Sequence, residues 1–150
     1  MKYTNLVSME ATNLNRFIEA QENTFQTALS EIEMGSKQGH WMWFIFPQIA
    51  ALGFSETSRF YALTNIAEAS AYLAHPVLGK RLIEISSALF SVEGKTAKRM
   101  FGSPDDLKLQ SCMTLFATLP DTNPVFKTVL DEFFEGIKDP KTLALIQAQP

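Results

Sequence analysis

Apolar residues recur along this chain at helical spacing. Leu14, Phe17, Ile18, Phe25, Ala28, Leu29 and Ile32 form one stripe behind Asn13, a residue suited to capping, and Gly35 stands where the stripe stops. One helix of about five turns is expected there. Gln21 interrupts the stripe between Ile18 and Phe25. An amide aimed at a core needs partners, because leaving it unpaired costs about 1–3 kcal/mol.

After Gly39 the pattern changes. Every residue from Trp41 to Phe46 in His40-Trp-Met-Trp-Phe-Ile-Phe-Pro-Gln48 is large and apolar, which reads as a short central helix surrounded on all sides. Leu52 to Ser58 reads as a turn and Ser58 to Leu63 as a short helical piece. Thr64 or Asn65 then caps a helix over 66–74, with Glu68 in its first turn, where a negative charge suits the helix dipole. Pro76 fits the first turn of a helix that presents Leu78, Leu82, Ile85 and Leu89 on one side and ends by Gly94. Ser103-Pro104, Asn123-Pro124 and Asp139-Pro140 each set a capping side chain before a proline at the first helical position. The first of these opens a helix with Leu107, Met113, Leu115, Phe116 and Leu119. The second opens one with Val125, Phe126, Val129, Leu130, Phe133 and Phe134 before Gly136.

No useful segment alternates with period two, so the expected fold is all-α: a compact multihelical bundle of about seven helices joined by short loops. Residues 1–150 read as a single domain with 1–12 as a loose N-terminal arm, a length that buries roughly 70% of the unfolded chain's surface.

Composition narrows the function classes. With 46% apolar and 19% charged residues and a net charge of -3, the chain is globular and lacks the basic excess of a dedicated nucleic-acid binder. Cys112 is the only cysteine, so no internal disulfide forms, and a free thiol suits a reducing cytoplasm. The first residues scatter polar groups where a signal peptide would be apolar. The run Trp41 to Phe46 is far shorter than the ~20 apolar residues that span a bilayer.

Several motifs fail on inspection. Gly94-Lys95-Thr96 has Leu89 where a phosphate loop needs glycine, and no strand precedes it. His40 and His75 with one cysteine make no usual zinc set, so neither a metal nor a cofactor is expected. Cys112 beside Met113 suits a small buried hydrophobe better than a nucleophile. His75, just before Pro76, suits a cap. At Ser103-Pro-Asp-Asp-Leu-Lys108, Asp105 and Asp106 already occupy the field of the helix N-terminus, so they would repel a phosphate but could accept hydrogen bonds from a sugar or activate a water. His40 heads a dense aromatic block fringed by Lys37 and Gln48, which fits either a ligand wall or a core.

Four blocks, Phe17-Ile-Glu-Ala-Gln21, His40 to Gln48, Tyr72 to Leu82 and Phe101 to Leu109 with Ser111 and Met113 to Phe116, resemble family 1810 of the domains of unknown function over roughly residues 14–145. These are small, mostly bacterial proteins, some of which carry a calpastatin-like label. The resemblance implies a compact multihelical fold and no established activity. The family's polar motif positions fall here on Gln21, Lys37, His40, Gln48, Tyr61, His75, Asp106, Lys108 and Ser111. Calpastatin-type inhibition uses extended, largely disordered segments, which this helical pattern does not match.

Two readings follow. In the first, Trp41, Trp43 and Phe44 floor a pocket ringed by Gln21, His40, Gln48, His75, Asp106 and Lys108, with Lys37, Tyr61 and Ser111 also contributing. The ligand is nucleotide-like or ADP-ribose-like, its base stacked on the rings, its edge read by glutamine amides and its phosphates met by Lys37, Lys108 or a helix N-terminus. Chemistry there would be hydrolysis of a glycosidic or nucleotide-linked bond, with His40 as acid/base and Asp106 as the orienting or water-activating carboxylate. In the second, the chain is a non-enzymatic interaction or structural module whose polar residues satisfy one another in a buried network. The sequence carries no signal for oligomeric state.

Overall fold

A computed structural model describes residues 14–149. The expected cap at Asn13 and the arm over 1–12 lie outside them. The described chain is helical throughout: α1 (14–22), α2 (Phe25–Glu33), α3 (Met42–Ile45), α4 (Glu56–Phe60), α5 (Ile66–Ala74), α6 (Leu78–Ala88) continuing as a 3-10 turn over Leu89–Ser91, α7 (Ala97–Phe101), α8 (Asp105–Thr118), α9 (Val125–Phe134) and α10 (Pro140–Gln147). Seven of these have seven or more residues, in line with the all-α expectation. The extended backbone among the described residues is limited to short pieces, including an isolated parallel bridge between Ile49 and Leu63.

Several boundaries follow local chemistry. Gly35, at φ +73, closes α2 with Gly35 N–H donating to Ile32 C=O and Ser36 N–H to Glu31 C=O, the paired bonds of a glycine-terminated helix. Asn65 accepts from Glu68 N–H, and Asp139 accepts from Thr142 N–H with Pro140 in the first turn, both as expected. Elsewhere the structure corrects the expectation. The five-turn first helix is two helices, broken at Asn23 and Thr24, residue types whose side chains compete with the helical backbone. The fourth helix starts at Glu56 rather than Ser58 because Ser55 accepts from Ser58 N–H. Ser103 does not cap α8. Its hydroxyl donates to Asp106 Oδ1 at 2.8 Å across a cis Ser103–Pro104 bond.

The central element is α8, not the aromatic run. Leu109 and every residue from Ser111 to Phe116 are buried, and the helix packs against α5, α7, α9 and α10. Buried Thr114 donates to Gln110 C=O and Ser111 to Leu107 C=O, one turn back, so both hydroxyls enter the core already satisfied. In α3, by contrast, Met42 and Ile45 face inward while Trp43 and Phe44 are only half-buried. The short α3 lies at the edge of the core with one side toward the surface.

α5 and α6 approach closely at Gly79. A Cβ there would stand 1.9 Å from the Leu73 carbonyl oxygen, so no larger residue fits without parting the two helices. That contact holds the His75 corner, where His75 Nδ1 accepts from Val77 N–H at 3.1 Å and Leu78 N–H at 3.3 Å.

Candidate functional site

The loop between α2 and α3 is built around one carboxylate. Glu31 Oε1 accepts from Gln38 N–H (2.7 Å), Gly39 N–H (2.9 Å) and Trp41 Nε1–H (2.9 Å). Burial alone would raise the Glu31 pKa. The Gly39, Gln38 and Trp41 bonds and the nearby Lys37 charge outweigh it and hold the carboxyl below its ordinary value. A further bond, Lys37 N–H to Met100 C=O at 2.8 Å, ties the loop to α7. His40 is exposed on this anchored loop, between Gly39 and Trp41, whose positions Glu31 fixes.

Beside the loop lies a compact charge cluster. Lys37 Nζ is 2.9 Å from Asp105 Oδ2, and Lys108 Nζ is 3.3 Å from Asp105 Oδ1. Each ammonium also faces an indole: Lys37 is 5.1 Å from the Trp41 ring centroid and Lys108 is 4.7 Å from that of Trp43. The Lys37 side chain is only 8% exposed, whereas Lys108 and Asp105 reach solvent. Trp41 is 1% exposed and belongs to the core. Trp43 Nε1 is buried with no hydrogen-bond partner among the described residues, a donor left over on the ring that Lys108 faces.

The remaining candidates sit in separate groups. Gln21, 1% exposed, donates from Nε2 to Phe44 C=O at 2.7 Å and to the Tyr72 hydroxyl at 3.0 Å, while Arg81 reaches its Oε1 at 3.4 Å. Burial pushes the Tyr72 phenol far above its usual range, partly offset by the Gln21 bond. Tyr61 packs on Phe44 (5.3 Å between centroids), Phe17 and Phe60. The backbone carbonyl of Gln48 accepts from Leu63 N–H, and its side chain is half-buried. The Ser111 hydroxyl shares its one proton between Leu107 C=O and Asp139 Oδ2, 2.9 Å away, the atom that also takes Thr142 N–H. Asp106 Oδ1 accepts from Ser103 Oγ and from Leu107 N–H. The structure therefore brings Lys37, Trp41, Trp43 and Lys108 together, with His40 on the adjoining loop. Gln21 and Phe44 meet in a second group with Tyr61 alongside, while Ser111 and His75 are engaged elsewhere.

Sequence reasoning missed Glu31 and placed Asp106 rather than Asp105 in the site. Nothing in the spacing of Glu31 points forward to Gln38, Gly39 and Trp41. Asp105 was visible only as one of two adjacent acids, of which Asp106 carried the motif.

The sequence matches the model of a protein family described as "Protein of unknown function (DUF1810)" over residues 11–146. The chain belongs to the DUF1810 family. The resemblance carried by the four sequence blocks is thereby borne out. The DUF1810 fold is also that of a solved relative: the chain is similar to the conserved hypothetical protein Rv1873 from Mycobacterium tuberculosis, with 42% identity, a TM-score of 0.89, and 91% of this chain and 98% of that one covered. No curated protein matches the chain.

Other chemistry is narrowed by position. Cys112 is fully buried in α8, and burial pushes its thiol well above the usual range, so it is a packing residue rather than a nucleophile. Among the described residues, no group of three or more His, Cys, Asp and Glu side chains could hold a metal ion. No helix among them is long and apolar enough to cross a membrane. Two surface depressions, of about 430 Å³ and 270 Å³, are lined by Phe90 and Val92 to Thr96 with Glu132 and Phe133, and by Ser70, Leu73, Ala74, Leu119, Pro120 and Asp121. Neither includes any of the candidate site residues.

Proposed function

We propose that this DUF1810 domain binds a small, flat, anionic ligand of the nucleotide class at the edge formed by Lys37, His40, Trp43, Asp105 and Lys108. The observation that carries this reading is the pairing of two ammonium groups with two indoles around a single carboxylate. Asp105 and Glu31 both act on the nearly buried Lys37, whereas Lys108, 23% exposed, is the cation able to turn toward a phosphate. When it does, it uncovers the Trp43 face for a base. The anchored loop presents His40 on a backbone that needs no ordering on binding.

Hydrolysis is the weaker extension. It would use the exposed His40 imidazole as acid/base and Asp106 as the carboxylate, but Asp106 Oδ1 already accepts two hydrogen bonds. The alternative reading, a structural or interaction module, is favoured by the Gln21 and Ser111 groups, whose polar atoms satisfy one another inside the molecule.

A thermal-shift series with AMP, ADP and ADP-ribose separates the readings. A ligand at a hundred times its Kd adds about 2.7 kcal/mol to stability. A rise in melting temperature that disappears in Lys108→Met supports the binding edge. A flat response to all three supports the module, and turnover of a bound ligand that depends on His40 adds the hydrolytic step.

A further inference from the structure

The 430 Å³ depression lies between the end of α6 and the last turn of α9, and none of its lining residues belongs to the edge described above. Its apolar lining is Phe90, 38% exposed, with Val92 and Phe133. The two phenyl rings stand 6.1 Å apart at an interplanar angle of 34°. Two carboxylates, Glu93 and Glu132, stand on its rim, and neither has an ion-pair partner among the described residues. Lys95 is the cation at this surface, and its ammonium is turned to the Gly35 carbonyl at 3.1 Å, where it meets the negative end of α2.

The position on α9 adds to the negative field. Glu132 and Phe133 lie in the last turn of that helix, whose terminal carbonyls carry partial negative charge, and no basic residue stands there to offset them. Paired aromatic rings, two unpaired carboxylates and an uncompensated helix C-terminus favour the same kind of guest. Each attracts positive charge, and the rings also favour a weakly hydrated cation with an apolar body.

We infer that this groove is a binding site for an organic monocation, an ammonium or guanidinium group carried on a short apolar chain. The cation meets Glu93 and Glu132 while its hydrocarbon lies along Phe90 and Phe133. The site shares no residue with the nucleotide edge.

Butylguanidinium and its neutral isostere butylurea test this by amide NMR titration of the full chain. Saturable shifts are expected for residues 90–96 and for Glu132 and Phe133 with butylguanidinium and not with butylurea. The double substitution Glu93→Gln and Glu132→Gln involves exposed side chains, so the fold is retained, and affinity should fall about tenfold at low salt. Phe133→Leu keeps apolar volume while removing a ring face and should also weaken binding. Lys108→Met should leave the titration unchanged, which separates this site from the nucleotide edge. Non-saturating drift, equal binding of butylurea, or an unaltered affinity in the double variant would overturn the inference.

Discussion

Two polar groups in this molecule use similar chemistry to opposite ends. The knot of Gln21, Tyr72 and the Phe44 carbonyl lies in the interior, where the amide and phenol are almost fully removed from water and the Gln21 amide donates to both other members. The cluster of Lys37, Asp105 and Lys108 grades from a nearly buried lysine to one that reaches solvent, and it leaves the Trp43 donor unpaired. A closed group gains nothing from a visitor and loses much when one member is deleted. An open group with a surplus donor and a cation that reaches solvent is cheap to disturb and able to accept a partner.

Breaking the knot should have the largest effect. Gln21→Leu keeps the volume but leaves the Tyr72 hydroxyl and the Phe44 carbonyl without their partner, and urea unfolding should show a loss of about 2–3 kcal/mol. Nucleotide response should be unchanged per folded molecule. Lys37→Met probes the border between the groups. It removes a largely buried ammonium while Asp105 keeps Lys108, so a loss of about 1 kcal/mol is expected in the same measurement.

Acid titration sharpens the contrast further. Because the fold lowers the Glu31 pKa, its contribution is present above the ordinary glutamate value of about 4.5 and is lost as pH falls through the lowered folded value. Glu31→Gln should therefore flatten the fall in stability below pH 4.5, seen as a converging melting temperature of variant and parent in acid. The smallest stability change belongs to Lys108→Met, within about 0.5 kcal/mol of the parent. The same variant should lose any nucleotide-induced thermal shift. A variant that loses more than 1 kcal/mol and still binds would reverse the roles assigned to the two regions.

Local signals were legible in the sequence. The stop at Gly35, the caps at Asn65 and Asp139, and the buried stripe of Leu78, Leu82, Ile85 and Leu89 all follow from residues within a turn or two of one another. What depended on distant chain did not show. Gln21 announced itself as an awkward amide, yet Tyr72 lies on a helix far along the sequence and Phe44 contributes a backbone carbonyl with no residue signature. The two tryptophans look equivalent in the sequence, but one is core and the other half-buried, because α3 exposes a side to the surface. Among the acids of the Ser103 to Lys108 turn, the choice between Asp105 and Asp106 turned on where Lys37 arrives in space.

Both indoles of the chain sit on this one short segment. Intrinsic emission excited at the indole band is therefore an optical gauge of the α2–α3 loop and its lysine neighbours, blind to the packing of α8 with α9 and α10. Followed beside far-ultraviolet circular dichroism, which weighs the long helices most, it distinguishes a local loosening of that corner from cooperative melting of the whole domain without any label being attached.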